Sequence, residues 1–248
     1  MKGGLALKKI VAFWLLVFIA FVSVCAEDGE SAESAKYYVN GRLLTEMTFE
    51  EIYDLEDTLV YALKRLFNED QKATESGEFT GLYVVNPSTK KYHYPWCNSA
   101  LQIGSDRFFE QSTSSVLTAR QFKPCGNCIS GKSEYIEDGR FDVYSVNERS
   151  LTDMSIPELY DFEDALVSAL TVIFNKDIEE TAAGELIGCY IINEKTKKFH
   201  YPWCYSALQI EPDKRSFERC APSDLANPSR PDAQNYTPCG SCRPHVNG

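Results

Sequence analysis

His93-Tyr94-Pro95-Trp96-Cys97 and Cys125-Gly126-Asn127-Cys128 decide how this chain is read, because both return as His200-Tyr201-Pro202-Trp203-Cys204 and Cys239-Gly240-Ser241-Cys242. Each set supplies one histidine and three cysteines in the spacing H-x3-C and C-x2-C. Four soft donors in close pairs are what a tetrahedral structural zinc site requires. The spacing predicts one site from His93, Cys97, Cys125 and Cys128 and a second from His200, Cys204, Cys239 and Cys242, hence two Zn2+ per chain. A single C-x2-C would be weak evidence. Two complete quartets joined to the same flanking sequence are strong.

Outward from the quartets the repetition continues. Residues 44–103 align with 151–210 without a gap, and about 34 of 60 positions are identical. The 248 residues therefore divide into two copies. Repeat one is read as 37–129, with its zinc module at 80–129. Repeat two is 142–245, with its zinc module at 187–245, and a polar linker of 130–141 separates them. Modules of about a hundred residues bury a modest share of their chain, so a metal cross-link in each is physically useful.

The first 26 residues stand apart. Lys2, Lys8 and Lys9 precede an apolar run over 10–24, and Val24 and Ala26 are small residues placed for a cut before Glu27. That is the form of a secretory signal peptide, followed by a polar leader over 27–36, and it predicts a secreted or extracytoplasmic, envelope-associated protein. An uncleaved anchor and lipidation at Cys25 are the two alternatives, and only these would give the chain a membrane contact. Cleavage removes three lysines and no acid, which moves the formal charge from −11 to −14. So acidic a chain is repelled by nucleic-acid phosphates and anionic lipid headgroups, so neither is expected as a partner.

Within each copy the patterning predicts an α+β module: a helix, a β-hairpin and a zinc knuckle. Short extended segments at 37–40 and 144–147 open the copies. Thr48 with Glu51 and Ser155 with Glu158 are capping boxes, and Pro157 suits a first helical turn. Ile52, Leu55, Leu59, Leu63 and Leu66, and in the second copy Leu159, Phe162, Leu166, Leu170 and Ile173, recur at helical spacing over about five turns. Residues 82–85 and 189–192 read as strands, with turns at 87–90 and 194–197 returning the chain to His93 and His200. Residues 99–103 and 206–210 read as a short helix. The stretch before C-x2-C differs most in length between copies, so 217–235 is expected to be irregular surface loop. Gly126 and Gly240 are expected to take positive φ, turning backbone N–H groups toward the sulfurs.

Two other uses of cysteine compete with zinc. Disulfides suit an exported chain, yet the three ligand cysteines of a copy cannot all pair within it, and pairing would leave His93 and His200 without a role. A thiol-redox centre needs a helix and further strands after its C-x-x-C, and only six residues follow Cys242. Cys189 and Cys220 lie outside the quartets. Leu82 stands at the position of Cys189, Cys220 has no evident counterpart, and a disulfide between them stays open.

At the quartets the sequence resembles the Ada-type metal-binding domain, named for the zinc module of a bacterial DNA-alkylation repair protein, and above all its small stand-alone bacterial relatives. The matching stretches are Lys91-Tyr92-His93-Tyr94-Pro95-Trp96-Cys97 with Phe122-Lys123-Pro124-Cys125-Gly126-Asn127-Cys128, and Lys198-Phe199-His200-Tyr201-Pro202-Trp203-Cys204 with Tyr236-Thr237-Pro238-Cys239-Gly240-Ser241-Cys242. Under half the chain is covered. The resemblance implies a bacterial, zinc-stapled fold. In the repair protein the first ligand is a cysteine that accepts a methyl group from a DNA phosphotriester. Here His93 and His200 hold that position, and zinc-bound imidazole is a far poorer acceptor, so the repair activity does not carry over.

No H-E-x-x-H, G-x-S-x-G or phosphate loop is present. The sequence therefore predicts a non-enzymatic exported protein of two structural zinc modules with a protein or surface partner. The alternatives are an extracytoplasmic zinc buffer and, from a different class, a thiol- or alkyl-transfer enzyme.

Overall fold

The computed structural model describes residues 36–128, 143–182, 184–227, 229 and 235–244. The signal-peptide reading of 1–26, nearly all of the leader and the linker at 130–141 fall outside the described residues. No helix among the described residues is long and apolar enough to cross a membrane.

The fold is α+β, and the two copies build the same elements. In copy one a hairpin, β1 (Tyr38–Val39) and β2 (Arg42–Leu43), leads into helix α1 (Phe49–Asp70). Asn40 takes φ 50° and Gly41 φ 79°, so the hairpin turn rests on the two residue types that enter the left-handed region most cheaply. Thr48 and Glu51 form the expected capping box, with bonds of 2.8 and 3.2 Å. The helix runs 22 residues, about a turn beyond the apolar periodicity. Strands β3 (Lys72–Ala73), β4 (Phe79–Asn86), β5 (Lys91–His93), β6 (Phe108–Ser112) and β7 (Lys123–Pro124) form a five-stranded sheet, interrupted by short helices α2 (Asn98–Leu101) and α3 (Ser114–Ala119). Copy two repeats this order as β8 (Ser145–Val146), β9 (Arg149–Ser150), α4 (Ile156–Asp177), β10 (Glu179–Glu180), β11 (Leu186–Asn193), β12 (Lys198–His200), α5 (Tyr205–Leu208), β13 (Arg215–Cys220), α6 (Pro222–Leu225) and β14 (Thr237–Pro238).

The stretch expected to be irregular begins with regular structure: β13 pairs with β11 over six residues, and α6 follows it, while 228 and 230–234 lie outside the described residues. Its polar composition hides the strand, whose register is supplied by the long edge of β11 rather than by its own β-propensity. The register also removes the open disulfide. Cys220 lies opposite Gly188 and Cys189 opposite Arg219, so the two thiols point to opposite faces of the sheet. Gly81 pairs with Ser112, which makes Ser112 the counterpart of Cys220.

The copies are joined about an approximate two-fold axis. β1 pairs antiparallel with β8 through Val39 and Val146, merging both hairpins into one four-stranded sheet. Tyr38 N–H donates to Asn147 Oδ1 at 2.9 Å, and Ser145 N–H donates to Asn40 Oδ1 at 2.8 Å. Helices α1 and α4 pack against each other, and the buried side chains of both copies form one continuous apolar core. The helices bury a second face for this purpose: Tyr53 and Tyr160 are fully enclosed, and with them Glu56 and Glu163.

Candidate metal centres

Each quartet is assembled at the seam between a strand end and two turns. His93 closes β5, and Cys97 sits at the N-terminus of α2, its N–H bonded to the carbonyl of Tyr94 at 3.0 Å. The Cys-x2-Cys turn is drawn alongside by parallel pairing of β7 with β5, and Cys125 N–H donates to the Tyr92 carbonyl at 3.0 Å. The second copy repeats this with Cys239 N–H on the Phe199 carbonyl at 2.9 Å. In each copy the four donor atoms lie within 4.8 Å of one another. All eight sequence-predicted ligands are therefore brought together in their two sets. His93, Cys97, Cys125, His200, Cys204 and Cys239 are buried, while Cys128 and Cys242 are half-buried.

The knuckle glycines do not take the left-handed conformation expected of them. In copy two positive φ falls on Arg243, at 47°, and its N–H closes the turn onto the Cys239 carbonyl at 2.8 Å. Ser241 N–H still reaches Cys239 Sγ at 3.4 Å, so the sulfur gains its backbone donor without a strained glycine.

Sequence reasoning assigned no role to the residues between histidine and cysteine. They fasten the site to the helix. Tyr94 and Trp96 stack with ring centroids 4.8 Å apart and 2° between planes, and both meet the Phe67 ring edge-on. Tyr201, Trp203 and Phe174 repeat the cluster, with the stack at 4.7 Å. A glycine permits the seat: a Cβ at Gly81 would come within 2.5 Å of Phe67, and one at Gly188 within 2.4 Å of Phe174. Between the two stacking residues the sequence places a proline whose carbonyl is bonded by the other copy. Tyr160 O–H donates to Pro95 O at 2.6 Å, and Tyr53 O–H to Pro202 O at 2.8 Å. Each tyrosine is held by an arginine of the repeat it reaches. Arg107 lies 4.9 Å over Tyr160 and pairs with Asp164, and Arg215 lies 4.9 Å over Tyr53 and pairs with Asp57. The signal available in the sequence was the equivalence of these residues between copies, but equivalence alone does not reveal a crossed contact.

The electrostatics favour one anionic sulfur in each set. The bond from Cys128, helped by His93 and by the N–H of Ser99, holds the Cys97 thiol down to about 4 against the opposing effect of burial. The same bond pushes Cys128 up, and Cys204 with Cys242 repeats the arrangement. His93 Nδ1 lies 3.6 Å from Cys97 Sγ, whereas His93 Nε2 and both ring nitrogens of His200 are buried with no hydrogen-bond partner. Buried unpaired ring nitrogens are costly, and a cation among the three sulfurs would take the lone pair of one nitrogen of each imidazole. The residues fit a tetrahedral zinc ion in chemistry, donor number and spacing.

No family model, curated protein or solved structure matches the chain. The likeness to the Ada-type domain thus rests on the quartets and their flanking residues.

Proposed function

We propose that the chain is an exported, non-enzymatic protein whose two metal centres are structural zinc staples. The observation that carries this reading is the enclosure of each quartet: four donors at mutual distances within 4.8 Å, three of them buried and locked by an aromatic cluster. Bound zinc would supply a cross-link between the β5–α2 turn and the knuckle, and between β12–α5 and its knuckle. His93 and His200 keep the position of an alkyl acceptor occupied by imidazole, which argues against group transfer. The biological role on this reading is interaction with a protein or surface outside the cytoplasm.

Elemental analysis of anaerobically purified protein tests the assignment, with two zinc ions per chain as the expected result. Near-zero zinc would overturn it. A chelator challenge followed by circular dichroism separates the staple from a zinc buffer, since a staple loses folded structure with its metal and a buffer does not.

A further inference from the structure

The two-fold symmetry is not exact. Between α1 and the loop that precedes β13 lies a cavity of about 440 Å³, a volume in the range of small-molecule sites. Its lining includes Glu56 and Asp57 from α1, Asn98 from α2, and Glu211 and Asp213 from the loop of the other copy. Asn98 is the key difference. Its counterpart in copy two is Tyr205, a half-buried ring that packs on the core close to the charges of Glu163 and Asp164. In copy two a tyrosine thus stands near Glu163, which is fully buried. Copy one has the shorter side chain and keeps a cavity against Glu56.

Glu56 is 4% exposed, lines this cavity, and owes its raised pKa, about 8, to burial and to the Asp57 charge with no hydrogen bond contributing. Its neighbours are already matched. Asp57 pairs with Arg215, and Glu211 with Lys214. Lys64 also borders the cavity, but its ammonium lies 5.4 Å over the Tyr61 ring. Val60, Leu208 and Ile210 give the remaining wall an apolar character. A divalent ion is disfavoured, because among the described residues only the two His/Cys quartets bring three or more ligating groups together.

From this geometry we infer that the cavity binds a small organic cation, an ammonium on an apolar body, with Glu56 as its counter-ion. The ligand adds to the counter-charge that Arg215, paired with Asp57, gives Glu56 only in part, and Tyr205 marks the residue that stands at this place in the second copy.

The probe is hexylammonium, compared by calorimetric titration with 1-hexanol and hexanoate on the zinc-loaded chain. Hexylammonium should bind saturably and at least about tenfold more tightly than either analogue. Glu56→Gln should erase that preference while leaving zinc content intact, and Asn98→Tyr, which copies the residue of the second repeat, should abolish binding of all three. The groups facing Glu56 are Asp57 and Tyr53 on its own helix, Arg215 on β13 and Glu163 on α4, with Lys64, Glu211 and Asp213 around the cavity. Burial raises Glu56 to about 8, so affinity should rise from about pH 6.5 to about pH 8.5 as its carboxylate forms. Equal binding of the three probes, or no binding at about ten millimolar, would overturn the inference. So would binding that emerges only in Lys64→Met, since the cavity's own lysine would then be the counter-ion. If Glu56→Gln fails to fold, Asn98→Tyr decides: retained hexylammonium binding rules the cavity out.

Discussion

At the scale of single residues, the ligands were the most legible part of the molecule and their supports the least. His93, Cys97, Cys125 and Cys128 declare themselves by spacing, because metal geometry constrains residues close in sequence. Tyr160, which fixes the loop of the first centre from the second repeat, does not, because its partner is 65 positions away. Replacing Cys125 by Ala should remove one zinc and leave the second in place, which mass spectrometry under native conditions would read directly. Tyr160→Phe deletes one buried hydrogen bond and should cost about 1 kcal/mol. Its signature is crossed: the first centre, not the second, should lose zinc faster to a chelator. The Glu56 and Glu163 carboxyls are shifted the opposite way from salt-bridged acids. Burial raises Glu56 to about 8 and Glu163 well above the usual carboxylate range. The protonated form of Glu56 contributes stability that is fully present below the unfolded carboxylate pKa, about 4.3, and lost as pH rises through about 8, and burial gives Glu163 a contribution of the same sign. The parent's melting temperature should therefore fall from about pH 4.5 to about pH 8, and a double Glu→Gln variant should lose most of that slope.

Among the elements, helices and central strands could be read because their hydrophobic period is carried in their own residues. The capping boxes at Thr48 and Ser155 and the stripe from Ile52 to Leu63 are local facts, and the structure places them as read. Strands β6 and β13 could not be read in this way, since Phe108–Ser112 and Arg215–Cys220 take their conformation from β4 and β11. The second buried face of α1 was equally hidden: Tyr53 and Glu56 look like surface positions until another helix covers them. Gly188 joins element to centre, because it gives Phe174 room to carry the Tyr201–Trp203 stack. Gly188→Ala should force that ring aside, destabilise the fold by about 1–3 kcal/mol, and weaken zinc binding in the second copy alone. Thermal melts and site-resolved zinc release would measure both effects.

Across the whole molecule, the contacts that join the repeats resemble those of a two-fold dimer more than those of two beads on a string. Tyr53 and Tyr160, Arg215 and Arg107, Asn40 and Asn147 all reach across in matched pairs. Such an interface is self-complementary and does not depend on which chain supplies each half. Proteolytic cleavage introduced within 130–141 should accordingly yield two fragments that stay together in gel filtration and separate only in denaturant. Fragments that part in native buffer would show that the connection, not the interface, holds the repeats.

The single covalent chain also changes what mutation can do to this arrangement. In a dimer of identical subunits every substitution appears on both sides of the axis, so neither side can acquire a property of its own. Here Asn98 stands opposite Tyr205, Lys64 opposite Thr171 and Glu211 opposite Gly104, each difference carried once. Fusion converts a symmetric scaffold into one with an addressable left and right, and one half can conserve the architecture while the other is free to specialise.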